Sequence, residues 1–129
     1  MRAKILNASA GSGKTYQLAY KYVRDVIDQP GLYRHILAVT FTNKATEEMK
    51  SRILKEIHRL ASGGASPYLG NLCRELSLDE RSVRKRAAEV RSKILHDYSR
   101  FTVLTIDTFF QRILRAFIKE LGIDLNYNV

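Results

Sequence analysis

Ala8-Ser9-Ala10-Gly11-Ser12-Gly13-Lys14-Thr15 lies between a short apolar stretch, Ala3-Lys4-Ile5-Leu6-Asn7, and a long amphipathic run. Strand, glycine loop and helix in that order are what a phosphate-binding P-loop requires. Successive backbone N–H groups of such a loop turn inward around phosphate oxygens, and the following helix adds the positive end of its dipole. Lys14 is expected on the outer phosphates as a compact point charge, and Thr15 is expected to place its hydroxyl on a magnesium ion. The expected nucleotide-binding residues run through Ala8, Ser9, Ala10, Gly11, Ser12, Gly13, Lys14, Thr15 and Tyr16. The usual pattern begins with Gly where this chain has Ala8, which fits if its backbone angles are ordinary. The bland alternative is a chance glycine-rich turn.

Working outward, Leu18, Ala19, Tyr22, Val23, Val26 and Ile27 recur at helical spacing from Lys14 to about Gln29, and Pro30-Gly31 stops the run. His35 to Phe41 is a nearly continuous apolar stretch that suits a parallel strand covered on both faces. Thr42 or Asn43 can cap the next helix, which carries Ala45, Met49, Ile53, Ile57 and Leu60 on one side until Ser62–Pro67 breaks it. A short helical piece fits Asn71–Leu76, and Ser77 with Glu80 makes a capping-box pattern before a basic helix to about Tyr98. The apolar stripe of that helix is Val83, Ala87, Val90 and Ile94. Phe101–Ile106 reads as a third strand, and Asp107 can cap a last helix whose buried side is Phe110, Ile113, Leu114, Phe117 and Leu121. Gly122 suits its stop, and Ile123–Val129 shows no clear periodicity. Strand–helix units in this order predict an α/β layer fold with a parallel sheet and right-handed crossovers.

The 129 residues suffice for one core. No apolar run approaches the roughly 20 residues that cross a bilayer, and the apolar stretch near Met1 is too short for a signal peptide. A reducing, cytoplasmic setting with no membrane partner follows as the expectation. The single cysteine, Cys73, reads as a small apolar group. His35, His58 and His96 have no metal-ligand spacing. Lys and Arg number 22 against 13 Asp and Glu, a formal charge of +9. That favours a polyanionic partner, nucleic acid first, although a basic surface without a partner fits as well.

Two further constellations carry chemistry. Phe41-Thr42-Asn43-Lys44-Ala45 follows the second strand, at the edge where open parallel sheets gather ligands. An aromatic ring beside small polar groups and a helix start can stack a base and hold a phosphate, or it can simply be a capped helix with Phe41 in the core. Thr105-Ile106-Asp107-Thr108-Phe109 stands at the same end of the third strand. Asp107 there is either a magnesium-holding Walker B carboxylate or a helix cap. The Glu that commonly follows Walker B is replaced by Thr108. The basic helix, with Arg81, Arg84, Lys85, Arg86, Arg91 and Lys93 on its exposed side, can track a phosphate backbone, but a solvated charged face is the favoured reading.

Together the three segments resemble the UvrD/Rep-type superfamily 1 helicases. Ala8–Thr15 resembles motif I, Ala38–Met49 closely matches motif Ia, and Thr105–Leu114 resembles motif Ib, in the family's order. The wording of the first and third leans toward the RecB/AddA-like helicase–nuclease branch. The resemblance implies a RecA-like P-loop NTPase fold, a three-layer parallel sheet incomplete over this length. It implies a DNA-stimulated ATPase that moves on single-stranded DNA and unwinds duplex, with ATP and Mg2+ served by Lys14 and Thr15. Phe41, Thr42, Asn43, Thr105, Asp107 and Thr108 would lie on the single-stranded DNA track, and a second helicase–nuclease subunit is an implied partner.

The chain also departs from that pattern. The family usually carries His where Asp107 stands, and an anion there repels phosphate. The chain begins too close to the loop to hold an adenine-reading glutamine motif, and no Asp-Glu Walker B pair, later motif or second motor domain appears. Residues 1–129 therefore read as the amino-terminal fragment of a first motor domain, inactive in isolation, and expected to self-associate through uncovered strand edges. The alternatives are a small P-loop kinase with Asp107 as its carboxylate and the Arg81–Arg86 helix as a lid, and a non-catalytic nucleic-acid module.

Overall fold

The computed structural model describes the backbone over residues 4–7 and 12–122 and side chains over residues 16–122. The loop Ala8–Gly11, the side chains of Ser12–Thr15 and the tail Ile123–Val129 lie outside the described residues. Three strands, β1 (Lys4–Asn7), β2 (Ile36–Thr40) and β3 (Thr102–Thr105), form a parallel sheet in the order β1-β2-β3. Among the described residues five α-helices accompany them: α1 (Ser12–Asp28), α2 (Asn43–Ala61), α3 (Leu69–Leu76), α4 (Glu80–His96) and α5 (Ile106–Glu120). The expected α/β class with a parallel sheet is observed.

The apolar stripes explain the packing. Ala19, Tyr22, Val23, Val26 and Ile27 of α1, Met49, Ile53, Ile57 and Leu60 of α2, and Val83, Ala87, Val90 and Ile94 of α4 are all buried. They meet Ile36, Ala38 and Val103 of the sheet in one core. Tyr22 stands edge-on to Phe101 with ring centroids 5.5 Å apart, a favourable aromatic geometry. On the opposite face Val39 is buried, as a strand covered on both sides requires, but Leu37 and Leu104 are only half-buried. The two-sided cover of a three-layer fold is therefore incomplete among the described residues.

Three expectations need correction. The first is the cap of α4. Asp79, rather than Ser77, accepts from the Ser82 N–H at 2.8 Å, while Ser77 closes α3 in the left-handed region at φ 53. A carboxylate at the N-cap complements the helix dipole, and Ser77 sits two residues too early once α3 reaches Leu76.

The second correction concerns the basic helix. Arg84 and Arg86 are half-buried and belong to neither a phosphate track nor a solvated face. Arg84 Nη1 donates to the carbonyls of Leu60 at 3.1 Å and Gly64 at 3.0 Å, where α2 ends. Arg86 Nη1 donates to the carbonyls of Asp28 at 2.9 Å and Ile27 at 3.3 Å, where α1 ends. Each guanidinium satisfies orphan carbonyls at the negative pole of a neighbouring helix.

The third is α5. Phe110, Ile113, Leu114, Phe117 and Leu121, expected to be buried, are 49–61% exposed. Their periodicity correctly marks a helix, but among the described residues no element lies against that face. Thr105 rather than Asp107 is the N-cap of this helix.

These arrangements predict unequal costs. Arg84→Ala lowers the unfolding free energy by about 1.5–3 kcal/mol, the range for hydrogen bonds to a charged donor, read as a drop in the urea midpoint. Ile53→Ala costs about 2–5 kcal/mol by the same measurement, whereas Leu114→Ala stays within about 0.5 kcal/mol. Acid acts through Glu75, which accepts from Arg24 Nη1 at 3.0 Å and from the Tyr20 hydroxyl at 2.8 Å. The Arg24 guanidinium first, and then Tyr20, hold its carboxyl below the usual range. The stabilisation is complete above the ordinary carboxylate pKa and is lost as pH falls through the lowered one. Thermal melts in acid show a shallower decline in Glu75→Gln than in the parent chain.

Candidate functional site

Parallel pairing brings the three sequence segments to one place. Asn7 pairs with Val39 and Thr40 with Thr105, so all three strands end on the same edge of the sheet. From that edge the chain enters α1, α2 and α5. Helix α1 begins at Ser12, which puts Gly13, Lys14 and Thr15 in its first turn with no acidic residue among them. Free N–H groups at a helix start without a nearby carboxylate fit an anionic phosphate.

Two aromatic contacts and a cation hold the next part of α1. The Tyr68 hydroxyl donates to the Tyr16 carbonyl at 2.9 Å, and the two rings meet edge-on at 5.1 Å. Burial pushes the Tyr68 hydroxyl up to about 12, so it remains a donor at neutral pH. The Arg52 guanidinium lies 5.3 Å from the centroid of the Tyr16 ring. Tyr16 is thus tied from α2 and from the turn before α3. Nothing in the local sequence pointed to Arg52 or Tyr68, because both act across the fold.

At the start of α2, Phe41 is 50% exposed, and Thr42, Asn43 and Lys44 are exposed beside it. Phe41 therefore does not belong to the core. Thr42 is the N-cap: its Oγ1 accepts from the Ala45 N–H at 3.0 Å. An accepting hydroxyl keeps its own proton available for an outside acceptor. Beneath this loop Thr40 is 1% and Thr46 is 8% exposed, and their hydroxyl oxygens stand 2.6 Å apart.

At the start of α5, Thr105 Oγ1 donates to Thr108 Oγ1 at 3.0 Å and accepts from the Thr108 N–H at 3.3 Å. The proton of Thr108 is then the one left to turn outward. Asp107 is exposed in the first turn, where its charge favours the helix dipole and opposes any approaching phosphate. The pairing of Thr40 with Thr105 thus puts Phe41, Thr42 and Asn43 and the segment Thr105, Asp107 and Thr108 at the same end of the sheet. The Walker B alternative for Asp107 requires the side chain of Thr15, which lies outside the described residues.

The chain belongs to the UvrD/REP helicase N-terminal domain family, which matches residues 2–129. It is 31% identical over 127 residues to "RecBCD enzyme subunit RecB" of Escherichia coli (strain K12), covering 92% of this chain and 11% of that protein. It is 29% identical over 125 residues to an ATP-dependent helicase/nuclease subunit of Lactococcus lactis subsp. cremoris (strain SK11), covering 97% and 9%. The protein of the same name from Acetivibrio thermocellus is 25% identical over 130 residues, covering 99% and 9%. The chain therefore spans between 9% and 11% of the length of these relatives.

The double duty of Thr42 gives a sharp expectation. Thr42→Ala removes the cap and costs about 1 kcal/mol in urea unfolding, while Thr42→Ser stays close to the parent chain.

Proposed function

We propose that, as a member of this family, the chain is the amino-terminal part of the first motor domain of an ATP-dependent DNA helicase or helicase–nuclease, built on a RecA-like P-loop fold. Residues 1–129 carry the nucleotide-binding start of that motor and one segment of its single-stranded DNA track. The observation that supports this most is the shared edge: the start of α1, the Phe41 loop and the β3–α5 corner all leave the sheet on one side. The names of the relatives, which describe helicase, nuclease and enzyme subunits, support DNA as substrate and, for a partner, a further protein of the same assembly.

In this reading Ala8–Thr15 and Tyr16 hold ATP and Mg2+, with Lys14 on the outer phosphates and Thr15 toward the metal. When bound, ATP supplies the phosphoryl-transfer free energy for movement along DNA in the cytoplasm. Phe41 offers a ring for base stacking, and Thr42 and Thr108 offer hydroxyl protons to phosphate oxygens. Asn43 and Thr105 flank them, and Asp107 faces away from phosphate or toward a base donor. Hydrolysis also needs a clamped metal and a positioned water, and the one Asp-Glu pair in the 129 residues, Asp79-Glu80, opens α4 rather than ending a strand. The isolated chain binds nucleotide weakly and turns over almost none.

Uncovered surface has a second consequence. The outer edges of β1 and β3 have no strand neighbour among the described residues, and α5 exposes its apolar side. Such surfaces drive association of the isolated chain with a second copy.

Lys14→Ala is expected to abolish binding of a fluorescent ATP analogue while leaving binding of labelled oligothymidylate intact. Loss of neither would favour the non-catalytic module, and brisk ATP hydrolysis by these 129 residues would refute the motor-fragment reading. Sedimentation is expected to show concentration-dependent association, which Phe117→Glu reduces; a monomer at all concentrations would refute it.

A further inference from the structure

We infer that Thr40 and Thr46 are positioning residues: their buried hydroxyl pair fixes the Phe41 loop against the β3–α5 corner, so that Phe41 and Thr108 present one continuous strip to a single-stranded polynucleotide. This rests on the assignment of Phe41 to DNA.

The geometry is specific. Thr40 ends β2 immediately before Phe41, and Thr46 stands one turn into α2. Their oxygens are 2.6 Å apart, a short hydroxyl–hydroxyl bond. The Thr42 carbonyl lies within reach of Thr46 Oγ1 at 3.1 Å and Thr40 Oγ1 at 3.2 Å, and it also accepts from the Thr46 N–H at 3.0 Å. Thr40 Oγ1 further reaches the Leu104 carbonyl of β3 at 3.4 Å. The two hydroxyl protons have more acceptors than they can serve at once. With the Thr40 proton on the Leu104 carbonyl and the Thr46 proton on Thr40 Oγ1, the pair links the end of β2, the start of α2 and β3. Phe41 is thereby bracketed on both sides, by Thr40 before it and by the Thr42 carbonyl after it.

Burial alone does not require these hydroxyls. Valine has nearly the shape of threonine and no desolvation cost, and a mid-helix threonine bonded to the carbonyl four residues back slightly weakens a helix. What the pair adds is a fixed direction for the exposed loop. The Leu104 carbonyl then carries that direction to Thr105, the cap of α5, one residue further on.

The test uses the full chain and fluorescein-labelled oligothymidylate, read by anisotropy at a temperature where circular dichroism shows each variant folded. Phe41→Ala is expected to weaken binding about fivefold or more, the loss of a base-stacking ring. Thr46→Val is expected to weaken it by about threefold to tenfold through loss of one buried hydrogen bond. Thr46→Ala, which favours helix, gives the same loss and guards against a folding failure. Thr46→Ser restores affinity to within about twofold because it keeps the hydroxyl. In the Phe41→Ala background Thr46→Val adds nothing further, since there is no ring left to aim. Normal binding by Thr46→Val and Thr46→Ala while Phe41→Ala is impaired overturns the inference and leaves the DNA reading standing. Equal losses from Thr46→Val with and without Phe41 also overturn it, because they mark a general structural role. Unchanged binding by Phe41→Ala overturns the DNA reading, and the inference with it.

Discussion

Parallel strand pairing is the constraint from which the rest of this molecule follows. When neighbouring strands run in one direction, each must hand the chain to its helix at the same end of the sheet. Asn7 beside Val39 and Thr40 beside Thr105 make that requirement concrete. Three segments separated by dozens of residues in sequence are delivered to one edge. Any chemistry shared between them depends on the register of these few backbone hydrogen bonds.

Helix α4 holds that edge from behind. Its apolar stripe fills the core against α1 and α2, and its arginines occupy the carbonyl ends of the same two helices. Burial and hydrogen bonding thus act on the same pair of helices from the same element. The starts of α1 and α2, where ligands are expected, are the ends these arginines leave alone. A half-buried guanidinium that loses its carbonyls would leave charge and acceptors partly unsatisfied together, which is why these contacts matter more than surface ion pairs such as Arg34 with Asp97.

Much of this was legible in the sequence, and the misses have physical causes. Strong periodicity made the apolar stripe of α4 readable to the residue, because Val83, Ala87, Val90 and Ile94 can share one face only in a helix. The same rule marked the stripe of α5 but could not say what, if anything, would lie on it. The choice between Ser77 and Asp79 depended on where α3 stopped, and boundaries are set by tertiary contacts. Arg84 and Arg86 looked like solvated charges because the carbonyls they reach are 20 to 59 positions away in sequence. Phe41, Thr42 and Asn43 stood out as a cluster at a strand end, with Phe41 readable either as a stacking ring or as a core residue, whereas Thr40 and Thr46 read as an ordinary strand residue and an ordinary helix residue. Their pairing exists only once the loop between them has turned.

The acidic residue in the first turn of α5 has one more consequence. Helices α1 and α2 open with no carboxylate in the first turn, while α5 opens with Asp107. The edge is therefore electrically lopsided: two of its three helix starts carry no acidic residue and the third carries one. Any polyanion laid across it would meet an uneven field, so one laid one way round and the same one reversed would not be equivalent guests.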